Sequence, residues 1–456
     1  MCGGRKGSLV FAPQRLFKLA KKIIMSKNVI NLVAADMGYG HQRAAYPLLD
    51  LGGGEIITIN KYEGIKDWEK KYWINSLKSY EKISRLKKIP FLGSIVFSIM
   101  DAFQKIQPLY PNRDLSDPTI QQKYFYRWVR KGLGKQLIDD LNKELDHKPF
   151  VTTFFVAAYI AESHGYDGDI YCIICDTDAS RAWAPLNPES SRIRFMVPSE
   201  KVKQRFVMYG VKENNIFVTG FPLPKENIGL DKKILEADLA RRVVELDQNG
   251  VYHSHYQGLL DSALKGPVKN NIPPITITYA VGGAGAQKEI GVTIMNKLLP
   301  LIKSEKICLN LVAGSRLEVK DYFETEAKRS GLLSNQQNEI KGVRIIYSPD
   351  KNKYFQAFNE CLHDTDILWT KPSELSFYAA LGLPIIMAPP VGSQEDFNRS
   401  WLLSVGAGID SEPAEYVDEW LPPLLASGRL ARAAMDGYLN AEQMGTYNIE
   451  NLLNSK

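Results

Sequence analysis

From Asn28 onward, short runs of β-branched and aliphatic residues alternate with longer stretches of helical periodicity. Val29–Ala35, Glu55–Asn60, Phe150–Thr153, Asp169–Cys175, Ile193–Val197 and Asn215–Thr219 read as strands with helices between them. Alternation of this kind predicts parallel α/β architecture. After Pro222 a polar, charged stretch continues to about Pro273, too long for an ordinary connection. It predicts a helix around Lys232–Leu246 and marks a domain boundary. A second series follows, with strands at Ile275–Val281, Ile307–Val312, Val343–Tyr347, Asp366–Trp369 and Pro384–Met387. The economical reading is two α/β domains facing each other across a cleft. In such sheets ligands bind outside the carboxyl ends of the strands, so the residues just after each strand matter most. The chain thus divides into an extension at 1–27, an N-terminal domain at 28–222, a connection at 223–273, a C-terminal domain at 274–432 and a closing helix at 433–456.

One segment breaks the pattern. Lys61–Lys131 carries 15 basic and 7 acidic side chains together with many aromatics, among them Trp68, Tyr72, Trp73, Tyr124, Phe125, Tyr126 and Trp128. From Arg85 a cationic cluster runs straight into the apolar stretch Ile89–Phe97. Two readings stand side by side: a helical insertion whose aromatics are core, and a face for the headgroup region of an anionic membrane. No nucleic-acid recognition motif accompanies it. The overall charge of +6 is equally local, because residues 1–27 hold seven basic side chains and no acidic one. With +7 there and +8 in the aromatic segment, the rest of the chain carries −9. Within the extension, Arg15–Ile24 fits either a basic amphipathic helix on a membrane surface or a stretch preceding a folded chain that starts near Met25.

The remaining composition, 45% hydrophobic and 24% charged over 456 residues, excludes a disordered, collagen-like or disulfide-stapled chain. Five scattered cysteines point to a reducing compartment. Cys172 and Cys175 form a C-x-x-C inside an apolar run, which reads as strand core rather than as zinc or redox chemistry. His253 and His255 read as part of a solvated loop. No apolar run reaches the length needed to span a bilayer.

Four loops carry candidate chemistry. The first strand ends in Asp36-Met-Gly38-Tyr39-Gly40-His41, where two glycines admit a close backbone approach and a histidine opens a helix, placed to take a proton from a substrate hydroxyl. The strand at Ile275 runs into Gly282-Gly283-Ala284-Gly285 and a helix, a loop able to wrap a diphosphate in backbone N–H groups. Thr370-Lys371-Pro372-Ser373-Glu374 follows another strand and opens a helix ending near Gly382. Gln394-Glu395-Asp396-Phe397-Asn398 enters a further helix, with Gln394 and Asn398 four apart on one face.

In this order, GYGH, GGAGA, TKPSE with GLP beyond it, and QEDFN resemble the family 28 glycosyltransferases of the GT-B fold. That group includes monogalactosyldiacylglycerol synthase, diacylglycerol glucosyltransferase and the peptidoglycan N-acetylglucosaminyltransferase. The resemblance spans roughly Asn28 to Asp410. It implies two Rossmann-like domains, a nucleotide-sugar co-substrate (UDP-linked), a lipid or lipid-linked acceptor, inverting transfer, and neither a dedicated metal site nor a further cofactor. It implies that Gly282, Gly283, Ala284 and Gly285 cradle the diphosphate with Lys371, Pro372, Ser373 and Glu374 nearby, and that Gln394, Glu395 and Asn398 read the sugar. His41 would be the base, with Asp36 and Asp176 as the carboxylates that orient it. The acceptor would meet Gly38, Tyr39 and Gly40, with Asp178 and Arg181 on the loop after the fourth strand. The implied location is the cytoplasm, with a peripheral position on the membrane face.

Two features depart from the family. Its ribose-binding glutamate would fall at Phe377, with Glu374 one helical turn earlier as a substitute. Many lipid-glycosylating relatives carry a histidine where this chain has Ala179-Ser-Arg181, and an arginine cannot act as a base. Two other readings therefore stay open: an epimerase or hydrolase of nucleotide sugars on the same fold, and a non-catalytic protein that binds a sugar nucleotide or a membrane surface.

Overall fold

The computed structural model of the chain describes residues 29–86, 106–263, 274–282, 285–332, 342–390 and 393–455. The basic extension at 1–27, the apolar run that follows Arg85 and the glycine-loop residues Gly283 and Ala284 lie outside them. The described residues form two compact units. The first comprises residues 29–222, 393–398 and 444–455, and the second comprises 223–390 and 399–443.

The first unit is built on a parallel sheet of β1 (Asn31–Ala34), β2 (Ile57–Thr58), β3 (Phe150–Thr152), β4 (Ile170–Ile173), β5 (Arg194–Val197) and β6 (Ile216–Val218). The strand order is β2-β1-β3-β4-β5-β6. β1, β3 and β4 are buried along their whole length, as expected for strands covered on both faces. The order reverses between β1 and β3, which opens a crevice at their carboxyl ends.

The second unit repeats the plan with β7 (Ile275–Ala280), β8 (Ile307–Gly314), β9 (Val343–Tyr347), β10 (Ile367–Thr370), β11 (Ile385–Met387) and β12 (Gly408–Asp410). Its order is β12-β11-β10-β7-β8-β9, again all parallel, and the switch falls between β7 and β10. β12 has no counterpart in the hydrophobic pattern: a three-residue edge strand beginning with glycine carries too little signal.

Three expectations change. The stretch after Pro222 is part of the second unit and forms helices Lys225–Ile228, Lys233–Leu246 and Val251–Ala263. Arg242 explains why it docks there. Its buried guanidinium donates to the carbonyls of Thr365 (2.8 Å), Leu381 (2.9 Å) and Gly382 (3.0 Å). Burial pulls its ionisation down to about 10, so it remains charged at neutral pH. His253 and His255 accordingly lie exposed on a helix, not in a loop.

The chain also closes with two helices, Arg429–Asn440 and Gly445–Asn454, instead of one. The second packs in the first unit, where Ile449 joins the cluster of Ile30, Leu32 and Val151 and Asn448 Nδ2 donates to the Thr219 carbonyl at 2.9 Å. A side chain at Gly445 would come within 2.1 Å of the Phe221 carbonyl oxygen.

The aromatics of the cationic segment divide. Tyr72 and Trp73 on helix Asp67–Leu86, and Tyr126 on helix Ile120–Arg130, belong to the core of the first unit. Trp68 and Tyr124 stay 37% and 50% exposed. The core reading thus holds for the first three.

Candidate functional site

In the first unit, the site forms where β1 and β3 diverge. β1 leads through Asp36–Tyr39 into the short helix Gly40–Ala45, and Gly38 takes φ +122°, a conformation that favours glycine. His41 is half-buried near the start of that helix. Its Nδ1 lies 2.7 Å from the carbonyl oxygen of Thr153, just past β3, and the Thr153 hydroxyl donates to the His41 carbonyl at 2.8 Å. The imidazole packs beside Phe154 (centroids 5.0 Å) and Trp183 (6.1 Å), and Phe155 joins the wall 4.8 Å from Trp183.

The partner recorded at Nδ1 is thus a backbone carbonyl. The carboxylate of Asp36 pairs with Lys61, and its backbone N–H donates to Asn60 at 2.9 Å. Asp176 accepts from Asn398 Nδ2 at 3.4 Å.

The loop after β4 carries Trp183 and is fastened from beneath by buried side chains. Asp178 is fully buried and takes a two-pronged contact from Arg205, Nε to Oδ1 and Nη2 to Oδ2, each 3.0 Å. The Arg181 guanidinium is spent on carbonyls of Ser116 (2.6 Å), Ala184 and Pro185 (both 3.0 Å), and burial lowers its ionisation. Tyr209 and Gln122 tie down the carbonyls of Ala179 and Ala184. Asp178 and Arg181, expected at the acceptor, are in this structure the framework that holds Trp183 against His41. Cys172 and Cys175 are buried free thiols of the same strand and its end, as the core reading expects.

In the second unit the corresponding place is the divergence of β7 and β10. Gly282 follows β7 and Lys371 follows β10. A Cβ at Gly282 would stand 2.7 Å from Lys371 Cε and 3.5 Å from its Nζ, so the lysine lies across bare backbone. Gly285, at φ +70°, donates to the Gly282 carbonyl at 2.7 Å and closes the turn before helix Lys288–Lys297. A side chain there would meet Val319 and Arg316 Cδ. A glycine turn, a helix N-terminus and two cationic side chains make a place where phosphate oxygens can be held by N–H groups and charge.

Pro372 and Ser373 lead into a 3₁₀ helix, Glu374–Leu381, in the place where a helix ending near Gly382 is expected. Glu374 is half-buried at its start. Phe377 is buried, its ring 5.2 Å from that of Trp401, so that position is core and cannot read a ribose. Residues 393–398, which hold the expected sugar-reading set, belong to the first unit. The amide oxygen of Asn398 accepts from the Thr177 N–H (3.2 Å) and hydroxyl (2.9 Å). Gln394 is half-buried and Glu395 is buried.

Sequence reasoning missed Thr153, Phe154 and Arg316. Each follows directly on a strand or on its closing residues, so the rule that ligands meet the carboxyl ends of strands would have found them. Among the described residues no group of three or more His, Cys, Asp or Glu side chains could hold a metal ion. No described helix is long and apolar enough to cross a membrane.

Residues 265–449 match a family described as "Domain of unknown function (DUF6938)". Over 335 residues the chain is 25% identical to a processive diacylglycerol beta-glucosyltransferase of Staphylococcus carnosus (strain TM300), covering 72% of this chain and 71% of that protein. The chain resembles the family 28 glycosyltransferases. A second protein of the same name, from Bacillus subtilis (strain 168), is 20% identical over 409 residues, 87% of this chain and 86% of its own. Among solved structures, Acinetobacter baumannii MurG aligns with 93% of this chain and 99% of its own at 12% identity and a TM-score of 0.45. The two Rossmann-like units described above are the building plan of the GT-B fold.

Proposed function

We propose that this chain is a glycosyltransferase that moves a sugar from a UDP-linked donor to a lipid acceptor of the diacylglycerol type, with inversion at the anomeric carbon. The observation that carries the reading is the likeness to processive diacylglycerol beta-glucosyltransferases across 72% of the chain. The chemistry of the two switch-point sites is in keeping with it. His41 takes the proton of the acceptor hydroxyl as its oxygen bonds to the anomeric carbon, and the bond from that carbon to the diphosphate breaks. Charge gathering on the leaving diphosphate is met by the N–H groups at the glycine turn, the start of helix Lys288–Lys297, Lys371 and Arg316. Glu374 is the candidate to accept from the ribose hydroxyls.

The exposed Trp68 and Tyr124 lie beside Trp128, each with ring centroids 6.3 Å from it, and Lys131 Nζ stands 4.5 Å from the centroid of the Trp128 ring. An aromatic cluster with a lysine over it fits the headgroup layer of an anionic membrane, the natural source of such an acceptor.

The test is incubation of the full chain with a panel of nucleotide sugars, with and without vesicles containing diacylglycerol. Glycolipid formed only when the acceptor is present is the expected result. Free sugar or an isomerised nucleotide sugar without acceptor would replace transfer with hydrolysis or epimerisation, and tight nucleotide binding without turnover would make the chain a binding protein.

A further inference from the structure

We propose that Thr153 is the positioning residue of the site: it fixes which ring nitrogen of His41 is basic and holds the histidine in place. The inference rests on the proposed role of His41 as base. A carbonyl oxygen can only accept a hydrogen bond, so the 2.7 Å contact between Nδ1 and the Thr153 carbonyl requires the proton to be on Nδ1. A neutral imidazole has one N–H, which leaves the lone pair, and hence the basicity, on Nε2 at the opposite edge of the ring.

The same residue grips the histidine a second time. The Thr153 hydroxyl donates to the His41 carbonyl at 2.8 Å, fixing the backbone from which the ring projects. Thr153 is itself immobilised: it is fully buried, its N–H donates to the Val33 carbonyl of β1 at 3.3 Å, and Cys175 Sγ approaches its carbonyl at 3.5 Å. A backbone carbonyl thus fixes Nδ1, and the hydroxyl next to it makes the residue's identity matter. Serine can replace it. Valine, nearly the same shape, cannot.

The test uses the full chain with ¹⁵N-labelled histidine and long-range ¹H–¹⁵N correlation above pH 8, with the His41 signal assigned by its absence in His41→Gln. The native protein should show His41 protonated at Nδ1 and bare at Nε2. Thr153→Val keeps the carbonyl and with it the Nδ1 proton, but releases the His41 backbone and should lower the transfer rate constant roughly ten- to a hundredfold with the donor KM unchanged, and Thr153→Ser should restore the rate. A native His41 protonated at Nε2, or a Thr153→Val protein with the native rate, overturns the proposal. The tautomer is read without turnover, so a protein that shows it but transfers no sugar sinks the functional reading and leaves the role of Thr153 standing.

Discussion

Asp178→Asn separates a scaffold from a ligand contact. The carboxylate has no exposed surface and Arg205 only 2%, so the pair is hidden from solvent screening. Two parallel 3.0 Å bonds join them, Lys201 adds a second cation at 3.4 Å, and Oδ1 also accepts the Ala179 N–H at 2.9 Å. Asparagine is the same size but neutral, and it can offer only one acceptor oxygen to the arginine. The guanidinium would be left buried with half its partner, a change that costs about 3–5 kcal/mol when a buried pair is broken. For a unit of this size that corresponds to a fall on the order of 10 °C in its unfolding temperature. Calorimetry of the full chain is the assay. The first unit should unfold earlier while the second keeps its transition, since Arg242 and its carbonyl partners are untouched. Transfer measured well below that temperature should weaken only as far as Trp183 moves away from His41. An Asp178→Asn protein that unfolds normally but binds acceptor poorly would refute the reasoning and return Asp178 to the ligand.

Three further outcomes are expected. Gly282→Ala pushes a methyl into Lys371 and should weaken nucleotide-sugar binding about 10- to 100-fold, the size of a lost charge-assisted contact, with normal unfolding; titration calorimetry reads it. Phe377→Ala should cost about 3–5 kcal/mol by emptying the space beside Trp401 yet leave nucleotide affinity unchanged at low temperature, whereas Glu374→Gln should do the reverse. In the second unit, the hydrogen bond that His363 Nδ1 donates to the Asp238 carboxylate (2.6 Å) raises the histidine above its usual 6.5. A raised folded-state value gives stability that is complete below 6.5 and disappears as pH climbs through the raised value. The urea midpoint should therefore fall between pH 6 and pH 9 by more in the native protein than in Asp238→Asn, and equal slopes would exclude this pair.

Much of the fold was written in the order of residues because buried parallel strands are continuous apolar runs: Val343–Tyr347 was read to the residue, and Ile275–Val281 to within one. What stayed hidden depends on contacts made over long separations. Nothing local to Gly445 or Ile449 announces a helix that packs beside β1, and nothing near Asn398 announces a hydrogen bond to a threonine 221 positions earlier. The glycine turn and Lys371 were legible because steric freedom and charge are properties of single residues. Asp178 and Arg181 were misread for the same reason. A charged residue on a loop after a strand looks like a ligand contact until its partner, here Arg205 or the carbonyl of Ser116, is known.

The central claim is that His41 is the base of a sugar transfer whose donor is held elsewhere in the chain. Its most direct measurement is the turnover of His41→Ala with a UDP-sugar and diacylglycerol vesicles, alongside donor affinity in the same preparation. The account predicts transfer reduced about 10²–10⁴-fold with donor affinity unchanged; transfer at the native rate would contradict it.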